Sequence, residues 1–192
     1  MKKIITCTLI LLSSTFVSFR QADESQPITA KRSILDYYNA LKGKLGIHAR
    51  FKITKKDINN GYLSASAAYM SAPGAEVVTM ALWRSRGGKE LVGVFKQGCG
   101  GMGCWGDLKD FKIFDANLNE VQRKELNWKI LETRSKMPVT GQENAPKYAR
   151  KLKVELPQKG TSIKIYRGVV GIKQELMATL VYNYNQGTFS IK

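Results

Sequence analysis

The sequence predicts an α+β protein, with an N-terminal helix followed by a mostly antiparallel β-sheet domain. Three observations predict it. "ILDYYNALK" repeats apolar residues at helical spacing. After Gly46 the chain changes to short β-branched and apolar runs bounded by Gly, Pro and Asn. Those runs follow one another too closely to leave room for the helical crossovers of a parallel sheet.

The 192-residue chain opens on "MKKIITCTLILLSSTFVSFRQADESQ". Lys2 and Lys3 precede an uncharged, mostly apolar run from Ile4 to Phe19, and Arg20 ends it. That is the layout of a secretory signal peptide. The run is about 16 residues, short of the roughly 20 a spanning helix needs. Residues 1–22 are therefore expected to be a signal peptide, and residues 23–192 a single β-rich domain with its helix. Ala22 suits one position of a cleavage site and Arg20 spoils another. Cys7 lies too early in the apolar run to carry a lipid. The expected location is secreted or periplasmic.

In chain order, the helix pattern begins at Thr29, which can act as N-cap, and continues through Ile34, Leu35, Tyr38 and Leu41. Gly43 and Gly46 close it. "ARFKIT" alternates, which places Phe51 and Ile53 on one face. Asn60-Gly61 is a turn signal before the strand candidate "YLSASAAY", and Pro73-Gly74 breaks the chain again. "EVVTMALWRS" and "ELVGVFKQG", joined by Gly87-Gly88, predict a β-hairpin. "LKDFKIFD" is a further strand, reached through a cysteine loop. Trp83, Val92, Val94, Phe95, Phe111, Ile113 and Phe114 are expected to supply core faces. Residues 118–137 are ambiguous, with a short helix near Asn127–Ser135 and Trp128 interrupting its stripe. "MPVTGQENAP" is a loop. "KLKVELP" alternates as a half-buried strand, and "TSIKIYR", "ELMATLVYN" and "GTFSIK" follow as three more, the last two turning at Asn185-Gln186-Gly187.

The cysteine loop, "KQGCGGMGCWGD", carries the sharpest chemical question. Zinc needs about four ligands, and beyond Cys7 the chain has two cysteines and one histidine. A redox pair of the thioredoxin kind has two intervening residues at a helix start, whereas here there are four between expected strands. A P-loop needs Gly-Lys-Ser/Thr, and Gly103 is followed by Cys104-Trp105. A Cys99 nucleophile requires a base, and His48 is the sole histidine, with no motif around it. An exported chain permits a disulfide, and Cys99 and Cys104 pair without remainder. The expectation is a Cys99–Cys104 disulfide that stiffens a turn and presents Met102 and Trp105 as candidate contact residues. Simple edge packing is the plainer reading of Trp105.

Other constellations fail. "DANLNE" resembles the start of a calcium loop, but its sixth position is Glu120 and its twelfth Leu126, so a β-turn fits better. No Gly-x-Ser-x-Gly and no paired carboxylates are present. The expectation is no catalytic residue, no metal and no cofactor. The chain has 31 basic and 15 acidic residues. Without Lys2, Lys3 and Arg20, 28 basic residues remain against 15 acidic, a net +13. Such a charge favours anionic surfaces and says nothing about fold. The densest patches are "TKKD" and "YARKLK", which make Lys55, Lys56, Arg150, Lys151 and Lys153 candidate anion-binding residues, against the plainer reading of a solvated basic face. No nucleic-acid motif accompanies them, so no nucleic acid is expected.

With the elements in place, "NGYL" running into a "MALW" strand, the "GCGGMGC" turn and the final "YNQGTF" hairpin resemble those of a group of small exported bacterial proteins of unknown function. The resemblance covers most of residues 23–192. It implies an exported, β-rich domain behind a helix and carries no catalytic residue. Tyr184-Asn185 departs from the tryptophan strand expected in that hairpin. The functional expectation is a non-enzymatic binding or interaction module at the cell envelope, with an envelope or extracellular partner. An electrostatic binder of anionic glycan or lipid surfaces is the second reading, and a thiol enzyme using Cys99 with His48 the third.

Overall fold

A computed structural model describes residues 31–121, 126–141, 144, 150–169 and 173–192. Residues 1–22, expected to be a signal peptide, Thr29 and part of "MPVTGQENAP" lie outside them. The α+β architecture is present, with a helix first and antiparallel strands after it in two sheets.

Helix α1 spans Ile34–Leu41. Its N-cap is Ser33 rather than Thr29. Ser33 Oγ accepts the Asp36 N–H at 3.3 Å, and the Asp36 carboxylate accepts the Ser33 N–H at 2.8 Å. A capping box satisfies two orphan donors at the first turn, which a residue further upstream cannot reach. Ile34, Tyr37, Tyr38 and Leu41 are buried, so both tyrosines pack on the helix's buried face.

The first sheet runs in the order β1 (Lys52–Asp57), β2 (Tyr62–Ala68), β3 (Ala75–Arg84), β4 (Glu90–Gly100) and β5 (Gly103–Trp105). Strand β6 (Phe111–Asp115) also pairs with β4, so β4 serves two partners along one edge. Leu91–Phe95 face β6, and Gly98–Gly100 face β5. The second sheet has the order β10 (Thr188–Ile191), β9 (Lys173–Asn183), β8 (Ser162–Val169), β7 (Arg150–Glu155). A single antiparallel bridge, Gly106 to Leu152, ties the end of the first sheet to β7, with both N–H···O bonds at 2.9 Å.

The first sheet is buried on both faces because alternate residues of its strands feed two cores. Val78, Met80, Leu82, Val92, Val94 and Phe114 pack with α1. Trp83, Leu91, Phe95, Phe111 and Ile113 pack instead with Leu152, Val154, Ile163, Ile165 and Leu180 of the second sheet. Gly93 belongs to this second face and has no room for a side chain, because a Cβ there would meet the Trp83 ring at 2.8 Å. The ambiguous segment contains α2 (Trp128–Lys136), which closes this core with Trp128 and Leu131. Phe111 and Trp128 stack at 5.8 Å between centroids.

One expected face is corrected. Phe51 is buried but precedes β1, while Ile53 is 41% exposed. Strand β1 is the sheet edge, and its register shifts between Ile53 and Lys55. A bulge at an edge strand turns its residues away from the regular alternation. The "DANLNE" turn is held by Asp115 Oδ1, which accepts the N–H groups of Asn117 and Asn119 at 2.9 Å each. No helix among the described residues is long and apolar enough to cross a membrane.

Candidate functional site

The cysteine segment builds a hairpin of its own. Cys99 on β4 stands opposite Cys104 on β5, Gly100 opposite Gly103, and Gly98 opposite Trp105. Residues facing each other across a ladder share one side of it, so the two thiols are already aimed at one another. The Cys99–Cys104 disulfide closes the pair, with Cα atoms 4.0 Å apart. Gly101 and Met102 make the turn, and Gly103 follows with φ 100°, a conformation that glycine adopts without steric cost. Trp105 Nε1–H donates to the Met102 carbonyl at 3.1 Å, which fixes the indole against its own turn. Met102 is 67% exposed and Trp105 is half-buried.

The neighbouring β2–β3 connection forms a second wall. Tyr69 N–H donates to the Gly74 carbonyl at 3.1 Å. Gly74 has φ 123° and comes so close to the hairpin that a Cβ would lie 2.2 Å from the Cys99 carbonyl oxygen. The Tyr69 hydroxyl lies over Gly98, 2.6 Å from where a Cβ would stand. Gly98 is thus a bare strand position with Tyr69 above it and Trp105 across the ladder.

Between these walls is a cleft of about 750 Å³, lined by the expected contact residues Met102 and Trp105 together with Tyr69, Gly98 and Gly101. Small-molecule clefts are commonly about 300–1,000 Å³. Both lysines that line it among the described residues are paired. Lys96 Nζ lies 2.8 Å from Glu76 Oε1, and Lys151 Nζ 2.9 Å from Asp107 Oδ1. Asp110 also lines the cleft and accepts the Asp107 N–H at 3.1 Å. Among the described residues, two ammonium groups therefore face three carboxylates, although the chain as a whole is +16. Gln97 lines the same cleft, and its Oε1 is buried without a donor among the described residues. A buried acceptor left unpaired costs about 1–3 kcal/mol.

The candidate anion-binding residues are not assembled as one group. Lys55 and Lys56 lie on β1, at the edge of the first sheet, and Lys55 Nζ sits 5.9 Å from the Tyr62 ring centroid. Arg150, Lys151 and Lys153 belong to β7 in the other sheet. Lys151 is paired with Asp107, and Lys153 lies 2.8 Å from Glu155 and 5.8 Å from the Tyr166 centroid. Of the two "YARKLK" lysines, one is thus recruited to the cleft and the other is neutralised on its own strand.

The remaining chemical candidates resolve locally. Cys99 carries no free thiol, because its sulfur is bonded to Cys104. His48 is exposed and meets Phe51 edge-on at 6.2 Å between centroids. Among the described residues no cluster of three or more His, Cys, Asp or Glu is gathered as a metal site requires.

Tyr69 and the pairs Glu76–Lys96 and Asp107–Lys151 escape sequence reasoning. The signal for Tyr69 was its position: an aromatic followed by Met70 in "YMSAPG", an otherwise small-residue turn. The ion pairs left no such signal, since Asp107 and Lys151 are 44 residues apart. Compared with protein-family models, curated proteins and solved structures, the chain matches none of them.

Proposed function

We propose that the protein is a non-enzymatic binding module of the cell envelope, secreted or periplasmic after loss of its signal peptide, and that the disulfide hairpin is its contact site. One observation carries this reading: Met102 and Trp105, held on a covalently closed turn, line a preformed cleft. Rigid presentation favours binding because less conformational freedom is lost on association. The signal-like N-terminus and the resemblance to small exported bacterial proteins support the location. The test is a pull-down from envelope fractions using the exported chain and a Met102→Ala/Trp105→Ala variant. We expect the variant to lose the wild-type partner. An unchanged set of captured components would sink the hairpin's role.

A second reading keeps the anionic glycan or lipid surface as partner, through the exposed Lys52, Lys55 and Lys56 of β1. The same lysines also guard an open sheet edge against pairing with another chain.

A further inference from the structure

We propose that the cleft beside the disulfide hairpin binds a neutral oligosaccharide, with a sugar ring stacked on Trp105 and its hydroxyls held by the Glu76–Lys96 and Asp107–Lys151 pairs. This rests on the reading of the hairpin as a contact site and names the ligand class of that site.

Charge decides first. The chain carries +16, yet the charged side chains that line the cleft among the described residues are two lysines against Glu76, Asp107 and Asp110. Among the described residues a polyanion finds no free cationic cluster there, because Lys96 and Lys151 are already engaged at 2.8 and 2.9 Å. A cation would have to displace those same lysines from two of the three carboxylates. The cleft is close to charge-compensated, which suits a neutral ligand.

Hydrogen-bonding chemistry decides next. An ammonium group has three donors and a carboxylate has several acceptor sites, so each pair retains free valences after meeting its partner. All four side chains keep between 29% and 44% of their surface exposed. Each pair therefore offers a donor and an acceptor side by side. A sugar hydroxyl both donates and accepts, and matches such a pair.

Shape decides last. The apolar surface comes from Trp105 and Tyr69, with glycine between and beside them. Aromatic rings provide broad apolar faces with little conformational freedom to lose. The indole is already tied by its hydrogen bond to the Met102 carbonyl, which lies within the turn that the disulfide closes. Gly100 and Gly101, which also line the cleft, have open space where a Cβ would stand and let a ligand approach the backbone.

The test uses the exported full chain with its disulfide intact. Cellohexaose, chitohexaose and maltohexaose are titrated by calorimetry and by tryptophan fluorescence, with a heparin hexasaccharide and hexalysine as charged probes. Trp83 and Trp128 are buried, so a fluorescence change reports on Trp105. We expect at least one neutral hexasaccharide to bind, with affinity changing less than about twofold between roughly 50 and 500 mM salt. Trp105→Ala should weaken it about tenfold or more, as loss of a central aromatic contact does. Tyr69→Ala, on the separate β2–β3 connection and 43% exposed, serves as a second variant should Trp105→Ala fail to fold. Binding of charged probes alone, binding of none, or unweakened binding by the folded variants would overturn the assignment. If no neutral sugar binds while the envelope pull-down still depends on Met102 and Trp105, the glycan assignment falls and the contact-site reading stands.

Discussion

Tyr37, on the buried face of α1, ends a chain of polar contacts. Its hydroxyl donates to Glu90 Oε2 at 2.5 Å, Arg84 Nε meets Glu90 Oε1 at 2.6 Å, and Arg84 Nη2 donates to the Arg32 carbonyl. Burial, and then the hydrogen bond and charge of Glu90, raise the Tyr37 phenol well above its ordinary value of 10.0. The unfolded phenol therefore loses its proton first as pH rises. The stabilisation from Tyr37 is fully present below pH 10 and is lost as pH climbs from there through the folded value. We expect Tyr37→Phe to cost about 1.5–3 kcal/mol at pH 7, since the lost bond is to a carboxylate. The gap from wild type should narrow above pH 10. Urea midpoints of both proteins at pH 7, 9 and 11 check this, and a gap that stays constant would reject the coupling. Such a chain was invisible in "ILDYYNALK". Periodicity there marked Ile34, Leu35, Tyr38 and Leu41 as the apolar stripe, but a partner for Tyr37 53 residues away is a product of the folded sheet.

At the scale of elements, the hairpin β4–β5 shows how a short covalent loop acts. Its disulfide closes a ring with a sequence separation of 5. Chain-entropy arguments assign about 2 kcal/mol to so short a loop. We expect Cys99→Ser with Cys104→Ser to lose about that much stability in denaturant unfolding. Reducing agent should lower the wild type by a similar amount and leave the double variant unmoved. Equal stability of all the samples would show that the staple constrains nothing. The spacing of Cys99 and Cys104 and the glycines between them made this staple readable in advance. The wall facing it was not readable. Tyr69 reaches the hairpin because β2–β3 and β4–β5 turn at the same end of one sheet, where Ala75 pairs with Cys99. Gly74 and Gly98 then permit the close approach. For α1 and β1, local pattern misled by small amounts. Apolar spacing located the helix, but the cap belongs to Ser33, the residue with a carboxylate three positions on. Alternation in "ARFKIT" marked a strand, but a bulge at the sheet edge exposed Ile53.

At the scale of the whole molecule, charge is distributed rather than focused. The β1 lysines point from an open sheet edge, while Lys96, Lys151 and Lys153 are consumed in ion pairs. The two surfaces should therefore respond differently to salt. Exposed charges are screened over about 10 Å at 0.1 M and about 3 Å at 1 M. We expect attraction to anionic phospholipid vesicles to be weak, to depend on Lys55 and Lys56, and to vanish as salt rises. Vesicle sedimentation with wild type and Lys55→Gln/Lys56→Gln measures it. Vesicle binding that survives high salt would reject an electrostatic role for β1.

By itself the sequence determined the α+β class, the order of the helix and most strands, and the disulfide, and it singled out Met102 and Trp105, which line the cleft beside it. These depend on neighbours in the chain: periodicity, turn residues and a cysteine spacing of a few positions. Only the tertiary structure decided that the first sheet feeds two cores, that Tyr69 stands over Gly98, and that Lys151 leaves the basic patch for Asp107. Those facts depend on strand register and sheet packing, which bring together residues tens of positions apart. A side chain's charge or ring is written in the sequence, but the partner that cancels or completes it is chosen by the fold.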